Sequence, residues 1–401
     1  MNRTNFGHKH PIFTAALLLI LLGYSNLRAS EANADSVRIS LLTCAPGEEI
    51  YSLYGHTAIR YEAPAAGIDA VFNYGVFNFN TPNFIFRFVK GETDYMLGLV
   101  DFDRFEAEYI YHNRTVWQQT LNLTAEEKDT LFEQLRTNYL PENRVYRYNF
   151  FYDNCATRPR DKVEKCLSGE VVYAATNYRH TFRDIVHQAS EGHPWDRFGM
   201  DLCLGVKADR TISYRQEMFA PLYLMEAFEQ AKIIDKDHTE RPLVSATTEI
   251  VSEQDFGEAP PALLTPLRSA LLLFIITAAA TIYGIRKKKS LWGIDLVLFA
   301  SAGLTGVVIA FLSCFSEHPT VSPNYLIFVF HPLHILLLPF FLYKEAKQKK
   351  SLYHRVNAIV LTLFILIWPL NPQHFDLAVL PLALCLLIRS VSHTIITRNK
   401  R

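Results

Sequence analysis

Long apolar stretches lie at both ends of the chain and predict where it meets a membrane. A short one occupies 13–22, and five longer ones recur at 267–285, 291–314, 323–343, 356–370 and 375–389. Each of the five is close to the roughly 20 residues that an α-helix needs to cross a bilayer. The pattern therefore predicts an α-helical membrane domain of about five transmembrane helices.

The apolar stretch near the N-terminus predicts a secretory signal peptide. Arg3 and Lys9 precede it, and Ala32-Asn33-Ala34 supplies the small residues of a peptidase site. Its apolar core is short for a membrane span, and an uncleaved anchor is the alternative if the Ala-x-Ala site is not used. We therefore expect the region that follows to be exported.

Basic residues in the loops predict the orientation of the membrane helices. Lys and Arg cluster at 286–289, 344–350 and 398–401, whereas the turns at 315–324 and 371–374 contain none. Basic loops are cytoplasmic under the positive-inside rule. The region before the first span and the two uncharged turns therefore share the outer side, in agreement with a signal peptide.

The region between the signal peptide and the first span has the mixed, aromatic-rich composition of a globular domain with its own core. A capping box at 124–127 predicts a helix within it. The segment 84–90 mixes apolar and basic residues, which makes it a candidate lipid contact, but a core strand is the favoured interpretation. The predicted divisions are a signal peptide at 1–34, a periplasmic domain at 35–242, a polar linker at 243–266, a transmembrane domain at 267–392 and a cytoplasmic tail at 393–401.

A β-hairpin is predicted after Gly55. β-Branched and aromatic residues alternate with others at 57–61, Pro64-Ala65-Ala66-Gly67 supplies a break, and a second strand follows at 69–77. The two runs have the length and the separation of antiparallel strands. His56 lies at the start of the first strand.

The register of this hairpin gives His56 a polar neighbour. If Glu62 faces Asp69 across the turn, Asn73 lies on the same face of the sheet as His56, one diagonal step away. A register slip of one residue offers Tyr74 instead. A histidine in such a place is more often structural than catalytic, so its function depends on what else reaches it.

Cys155 lies where an aromatic, strand-like run gives way to a charged, helix-like one. A thiol becomes a good nucleophile when a helix N-terminus and an imidazole favour its thiolate, and Asn154 is a suitable cap residue directly before it. Pro159 cannot donate a backbone hydrogen bond to the Cys155 carbonyl. The first turn is therefore irregular, or the helix begins later than Cys155.

A disulfide is the structural alternative for this cysteine. The exported region contains four cysteines, namely Cys44, Cys155, Cys166 and Cys203, and its compartment permits bridges. If 155–166 is helical, Cys155 and Cys166 are about 16 Å apart along the axis, which excludes that pairing. The other pairings stay open.

Four segments and the multi-span tail resemble the Lnb-type lipoprotein N-acyltransferases. The segments read YSLYGHTAIRY, FNYGVFNF, YNFFYDNCATRPRD and DLCLGVKADRTISYRQEMFAPLYL. The order of histidine before cysteine is also that of lecithin retinol acyltransferase-like enzymes. The resemblance implies an α+β permuted papain-like (NlpC-type) periplasmic domain, followed by the helical membrane domain, in the bacterial inner membrane.

The resemblance also implies a reaction. An acyl chain passes from a membrane phospholipid, through a cysteine thioester, to the α-amine of the S-diacylglyceryl cysteine of a lipoprotein. Cys155 is then the nucleophile and His56 its base, whereas Asn73 as the third group comes from the hairpin register. Backbone N–H groups at Asn154 and Cys155 and the Tyr54 hydroxyl are candidate oxyanion donors.

The remaining candidates concern the membrane. Arg158, His318, His331 and His374 are candidate lipid or membrane-site residues. Intramembrane and interfacial histidines are functional candidates, but helix packing is an equal alternative to lipid binding here, and no catalytic role is expected. The spacing of the other exported histidines matches no compact ligand set, so no metal and no cofactor are expected. The absence of a basic face or a phosphate-binding glycine loop predicts no nucleic-acid partner.

Two other functions use the same residues. A membrane-tethered cysteine hydrolase of cell-wall peptides needs the same Cys–His pair, but it does not need five spans. A non-enzymatic envelope assembly protein has a bridged Cys155 and a packed His56. A free and reactive Cys155 thiol distinguishes the enzymes from the assembly protein.

Overall fold

The computed structural model describes residues 37–77, 82–174, 179–254 and 262–398. The predicted signal peptide and the last residues of the predicted cytoplasmic tail lie outside these residues. The described part comprises an α+β domain followed by a helical membrane domain.

The α+β domain is built on a seven-stranded antiparallel sheet and a second sheet of three short strands. The strands are β1 (Arg38–Cys44), β2 (His56–Ala63), β3 (Ile68–Val76), β4 (Asp94–Asp101), β5 (Val116–Leu121), β6 (Val145–Arg147), β7 (Glu170–Val172), β8 (Lys232–Ile234), β9 (Glu240–Pro242) and β10 (Val244–Val251). The strand order is β10-β5-β1-β2-β3-β4-β6 in the large sheet and β7-β8-β9 in the small one.

Helices cover both faces of the large sheet because apolar residues on its strands alternate between the two sides. The helices of this domain are α1 (Phe84–Lys90), α2 (Phe102–Tyr111), α3 (Ala125–Tyr139), α4 (Thr157–Cys166), α5 (Phe182–Ala189), α6 (Pro194–Cys203), α7 (Tyr214–Glu217) and α8 (Pro221–Gln230). Leu41 packs on the face covered by α3, α4 and α8, whereas its neighbour Leu42 packs on the other face against α2. The predicted capping box is present at the start of α3.

The membrane domain contains four described helices that are long and apolar enough to cross a bilayer, and one bent pair. Its helices are α9 (Pro266–Lys287), α10 (Trp292–Phe315), α11 (Leu333–Leu336), α12 (Leu338–Ala346), α13 (Leu352–Ile367) and α14 (Val379–Thr397). α14 continues past residue 392, where the sequence predicted that the membrane domain ends.

The third predicted span is broken rather than continuous. A 3₁₀ turn at Tyr325–Phe328 and α11 precede α12, and the two halves meet at a bend of 74°. The break packs closely on α10, because a Cβ built on Gly306 would lie 2.5 Å from the Phe330 carbonyl oxygen. This glycine therefore permits the backbone contact that a larger residue would prevent.

Two local predictions in the α+β domain are wrong. Residues 84–90 form the helix α1, which Gly91 ends in the left-handed conformation with φ 82°, and not a strand. Residues 244–251, predicted as part of the linker, form β10 and pair with β5 at the edge of the large sheet. The α+β domain therefore extends at least to Val251.

Hydrogen bonds join the α+β domain to the membrane domain. The turn after α10 and the turn before α14 reach the last turn of α6 and the loop that follows it. The bonds run from Gly205 N–H to the Thr320 carbonyl (2.8 Å), from Asn324 Nδ2 to the Leu202 carbonyl (2.9 Å) and from Gln373 Nε2 to the Leu204 carbonyl (3.0 Å). The α+β domain is therefore fixed against one end of the helical bundle.

Candidate active site

The β2–β3 hairpin brings His56 and Asn73 together, and its predicted register is confirmed. Glu62 pairs with Asp69, and His56 Nε2 lies 2.5 Å from Asn73 Oδ1. An amide oxygen only accepts hydrogen bonds, so Nε2 is the protonated nitrogen and Nδ1 carries the lone pair. This tautomer leaves Nδ1 available to accept a proton.

Burial keeps the imidazole of His56 neutral. It lowers the pKa of His56 from 6.5 to about 4, although the hydrogen bond with Asn73 acts in the opposite direction, and nearby Arg114 lowers the pKa further. A neutral imidazole can act as a base at physiological pH.

Cys155 lies two residues before α4, beside the strand that carries His56. The backbone N–H groups of Thr57 and of Cys155 itself are placed to donate to its sulfur, and Thr57 directly follows His56 in β2. On the other side, a Cβ built on Gly75 would lie 3.6 Å from the Cys155 Cβ. Gly75 has φ +93° at an irregularity of β3, so the strand passes close to the cysteine.

The thiol itself is protonated in this environment. Burial raises the pKa of Cys155 from 9.0 to about 11, and the two backbone N–H groups offset only part of that increase. The sequence predicted that a helix N-terminus would favour the thiolate, but α4 begins two residues later. The arrangement therefore corresponds to a neutral thiol beside a neutral base.

Asn154 holds the segment that carries Cys155. Its Oδ1 accepts from the N–H groups of Ala156 and Thr157, both at 2.9 Å, and its Nδ2 donates to the Phe150 and Phe219 carbonyls, both at 2.8 Å. Its own N–H donates to Thr157 Oγ1 at 2.8 Å. Because that N–H already has a partner, Asn154 supports the site rather than supplying an oxyanion donor.

Tyr54 does not point its hydroxyl at the cysteine. The hydroxyl donates to the Met200 sulfur at 3.4 Å, and the buried ring contacts Phe150 at 4.7 Å between centroids. The predicted role of Tyr54 as an oxyanion donor therefore has no support in this arrangement.

Arg158 is likewise engaged within the α+β domain. It forms two hydrogen bonds with Asp153, at 2.6 and 2.7 Å, and its guanidinium lies 3.5 Å from the centroid of the Tyr146 ring. These contacts hold the loop before α4 against β6. They do not direct Arg158 toward the membrane helices.

Three tyrosines near the Cys155 sulfur were not predicted from the sequence. Tyr95, Tyr146 and Tyr148 lie close enough that a thiolate would raise their pKa values, which burial already raises. The Tyr146 hydroxyl is buried and has no hydrogen-bond partner. The alternating aromatic residues at 146–152 were the available signal, but only the pairing of β4 with β6 places two of these rings beside the sulfur.

The predicted membrane histidines take different positions. His318 Nε2 lies 2.9 Å from the Phe88 carbonyl of α1, and His374 Nδ1 lies 2.8 Å from Asp209, so both are at the junction of the two domains. His331 lies within the membrane domain, stacked on His334 with ring centroids 3.6 Å apart. No hydrogen bond in the described residues joins these three to His56 or Cys155.

All six cysteines lie in the described residues, and all are unpaired. The fold and this site define a membrane-anchored protein with a cysteine, a histidine and an amide gathered in its extramembrane domain. Residues 24–188 match the Lnb N-terminal periplasmic domain, and residues 258–401 match the Lnb transmembrane domain. The chain therefore belongs to the Lnb family, as its sequence motifs predicted.

Family membership points to a lipoprotein N-acyltransferase-like function in a membrane protein with a periplasmic domain. Searches against curated proteins and against solved structures gave no significant match.

Proposed function

We propose that this protein is a lipoprotein N-acyltransferase of the bacterial inner membrane. It moves an acyl chain from a membrane phospholipid to the α-amine of the S-diacylglyceryl cysteine of a lipoprotein. The observation that carries the proposal is the pairing of His56 with Asn73 beside Cys155, in a domain hydrogen-bonded to the ends of membrane helices. Both substrates are lipids held in a bilayer, so the site must stay close to the membrane.

In the first half of the reaction, His56 acts as a general base. Its Nδ1 accepts the thiol proton while the Cys155 sulfur attacks the carbonyl carbon of a phospholipid ester. The ester C–O bond breaks, the proton passes from Nδ1 to the departing glycerol oxygen, and the lysophospholipid leaves. The acyl chain is then held on Cys155 as a thioester.

In the second half, the lipoprotein amine attacks the thioester. His56 Nδ1 accepts a proton from the amine nitrogen, the C–S bond breaks, and the proton passes to the sulfur. The products are an N-acylated lipoprotein and the original thiol. Because one site handles the donor and then the acceptor, the proposed kinetics are ping-pong.

The N–H groups of Thr57 and Cys155 are the proposed oxyanion donors in both halves. They already face the sulfur, and the oxyanion forms on the carbonyl oxygen of the carbon that this sulfur attacks. The unpartnered hydroxyl of Tyr146 is a third candidate. These donors replace Asn154 and Tyr54.

Helix α1 is the proposed contact with the bilayer. Its Ile85 and Phe86 side chains are 78% and 57% exposed, and the Phe86 ring lies 5.6 Å from Phe311 of the membrane helix α10. Exposed apolar side chains beside a membrane helix are suited to burial among lipid tails.

A series of aromatic rings connects α1 to the site. Ring centroids are 6.2 Å apart between Phe88 and Phe84, 5.8 Å between Phe84 and Phe77, and 5.0 Å between Phe77 and Tyr95. Tyr95 is one of the tyrosines near Cys155. We assign this apolar surface to the acyl chain of the phospholipid as it approaches the sulfur.

Mass spectrometry of the full-length protein tests the proposal directly. Protein in phospholipid nanodiscs is incubated with a synthetic diacylated lipopeptide, and its peptides are analysed before and after hydroxylamine. The expected result is a hydroxylamine-labile acyl group on Cys155 that passes to the lipopeptide amine. The Cys155→Ser variant should not transfer, whereas Cys203→Ser, a matched cysteine substitution in the same domain, should remain active.

Two results would overturn the proposal. Transfer by Cys155→Ser at the wild-type rate would exclude the cysteine as nucleophile. A labile acyl group on Cys155 that is released only to water, or to cell-wall peptides, would identify a hydrolase instead.

A further inference from the structure

Three buried side chains meet at the end of the membrane domain that is remote from the α+β domain. Glu345 lies at the end of α12, His354 at the start of α13 and His393 in the last turns of α14. Each offers one ligand atom, and these atoms all lie within 4.8 Å of one another. Their exposed fractions are 1%, 0% and 6%.

Glu345 and His354 present atoms without a well-aligned hydrogen-bond partner to this cluster. Glu345 Oε1 lies 2.5 Å from His354 Nε2, and Glu345 also contacts Asp295. The geometry of a hydrogen bond is nevertheless not met at either carboxylate oxygen of Glu345 or at His354 Nε2. Buried polar atoms are rarely left without one. A carboxylate and two imidazoles that converge on one buried point are a ligand set that binds divalent metal ions in proteins.

The outer nitrogens of both imidazoles are held by other groups. His354 Nδ1 lies 3.3 Å from Ser390 Oγ, and His393 Nε2 lies 3.0 Å from the Lys349 carbonyl. Histidines that bind metals are oriented in this way, with the second nitrogen bonded to a carbonyl or hydroxyl oxygen. His354 Nε2 and His393 Nδ1 are thereby left to face Glu345.

The charges around Glu345 favour a cation as well. Asp295 of α10 lies against Glu345, and its two oxygens are bound by Arg389 at 2.6 Å each. The guanidinium of Arg389 thus offsets the charge of two buried carboxylates, those of Asp295 and Glu345. An uncompensated buried charge is costly, so this cluster needs either a proton on Glu345 or a further cation.

We propose that Glu345, His354 and His393 bind a divalent transition metal, with zinc the best match to two imidazoles and one carboxylate. The metal joins α12, α13 and α14 and is structural, because it lies at the far end of the bundle from Cys155. The ligands are nine and 39 residues apart, a spacing that forms no compact sequence motif, whereas the sequence prediction of no metal considered only histidines of the exported region.

Elemental analysis of the full-length protein tests the site. Cells are grown with added zinc, and the protein is purified in detergent without chelators and measured by inductively coupled plasma mass spectrometry. The expected result is about one zinc per chain. A wild-type protein that holds no metal above the buffer level, both as purified and after incubation with zinc, overturns the proposal and indicates a proton on Glu345.

Variants locate the metal and separate binding from folding. Glu345→Gln and His393→Gln should each lose the zinc, whereas His238→Gln, an exposed histidine of the α+β domain, should retain it. Strong chelators should lower the melting temperature of the wild type and of His238→Gln but not of the two ligand variants. Retention of zinc by both ligand variants would refute the assignment, and neither result bears on acyl transfer.

Discussion

The reactivity of Cys155 with an alkylating reagent should reveal a protonated thiol in the resting protein. Its pKa of about 11, compared with 9.0 for an ordinary thiol, lowers the thiolate fraction near neutral pH by about 100-fold. The more basic thiolate is intrinsically more nucleophilic, which recovers roughly a factor of ten in the alkylation rate. We therefore expect alkylation about tenfold slower than that of an unperturbed thiol.

The assay is iodoacetamide labelling across about pH 6 to 10, followed by peptide mass spectrometry, with glutathione in the same tube as the reference thiol. The rate at Cys155 should rise about tenfold per pH unit without a plateau, because the raised pKa lies above the range. His56→Ala should leave this profile unchanged, since the imidazole is neutral there, while it lowers acyl transfer by about 100- to 10,000-fold.

A flat labelling rate between about pH 6 and 8, faster than that of glutathione, would refute the reasoning. That profile belongs to a preformed thiolate–imidazolium pair. The effect of burial on the pKa of Cys155 would then be outweighed by a direct interaction between Cys155 and His56. The reaction would begin from an ion pair rather than by general-base catalysis.

Three further predictions concern the support of the site, the membrane contact and stability. Asn73→Ala should lower kcat by about 100-fold through misorientation of His56 with little change in KM, and Asn73→Gln should restore part of the rate. Ile85→Asp should raise the KM for phospholipid in vesicles by about ten- to a hundredfold, as the loss of one side chain buried in lipid implies. The control Ile85→Leu should leave this KM unchanged. An unchanged KM in Ile85→Asp would exclude α1 as a lipid contact. Arg183→Met should destabilise the protein by about 3–5 kcal/mol, because it leaves Asp201 and Asp209 buried without their guanidinium. Near-ultraviolet circular dichroism during denaturation measures the change in stability, and a loss below about 1 kcal/mol would contradict the prediction.

Local patterns were sufficient to predict part of the site. The alternation on both sides of the turn at 64–67, with Glu62 opposite Asp69, correctly predicted that Asn73 lies beside His56. A hairpin is a local unit whose register follows from its turn, and a shift by one residue exposes its apolar face. The helix after Cys155 was predictable for the same reason. Its start beyond Cys155 was also predictable, because Pro159 cannot donate a backbone hydrogen bond to the Cys155 carbonyl.

Other parts depended on residues that are distant in the sequence. The polar segment at 244–251 is a strand because β5 offers its backbone groups at the edge of the sheet. The third span is broken, and its first half packs against Gly306 of another helix, where only a glycine leaves room for the Phe330 carbonyl.

The membrane region followed from composition alone, and the place of Asn73 beside His56 followed from contacts between near neighbours in one hairpin. The α+β class and the choice of Cys155 and His56 as candidates came from motifs shared with the Lnb family. Only the tertiary structure decided that the Thr57 N–H and the Tyr146 ring reach Cys155, and that Glu345, His354 and His393 converge. Such groups come from separate elements, and their meeting is fixed by the packing of the whole chain rather than by any local pattern.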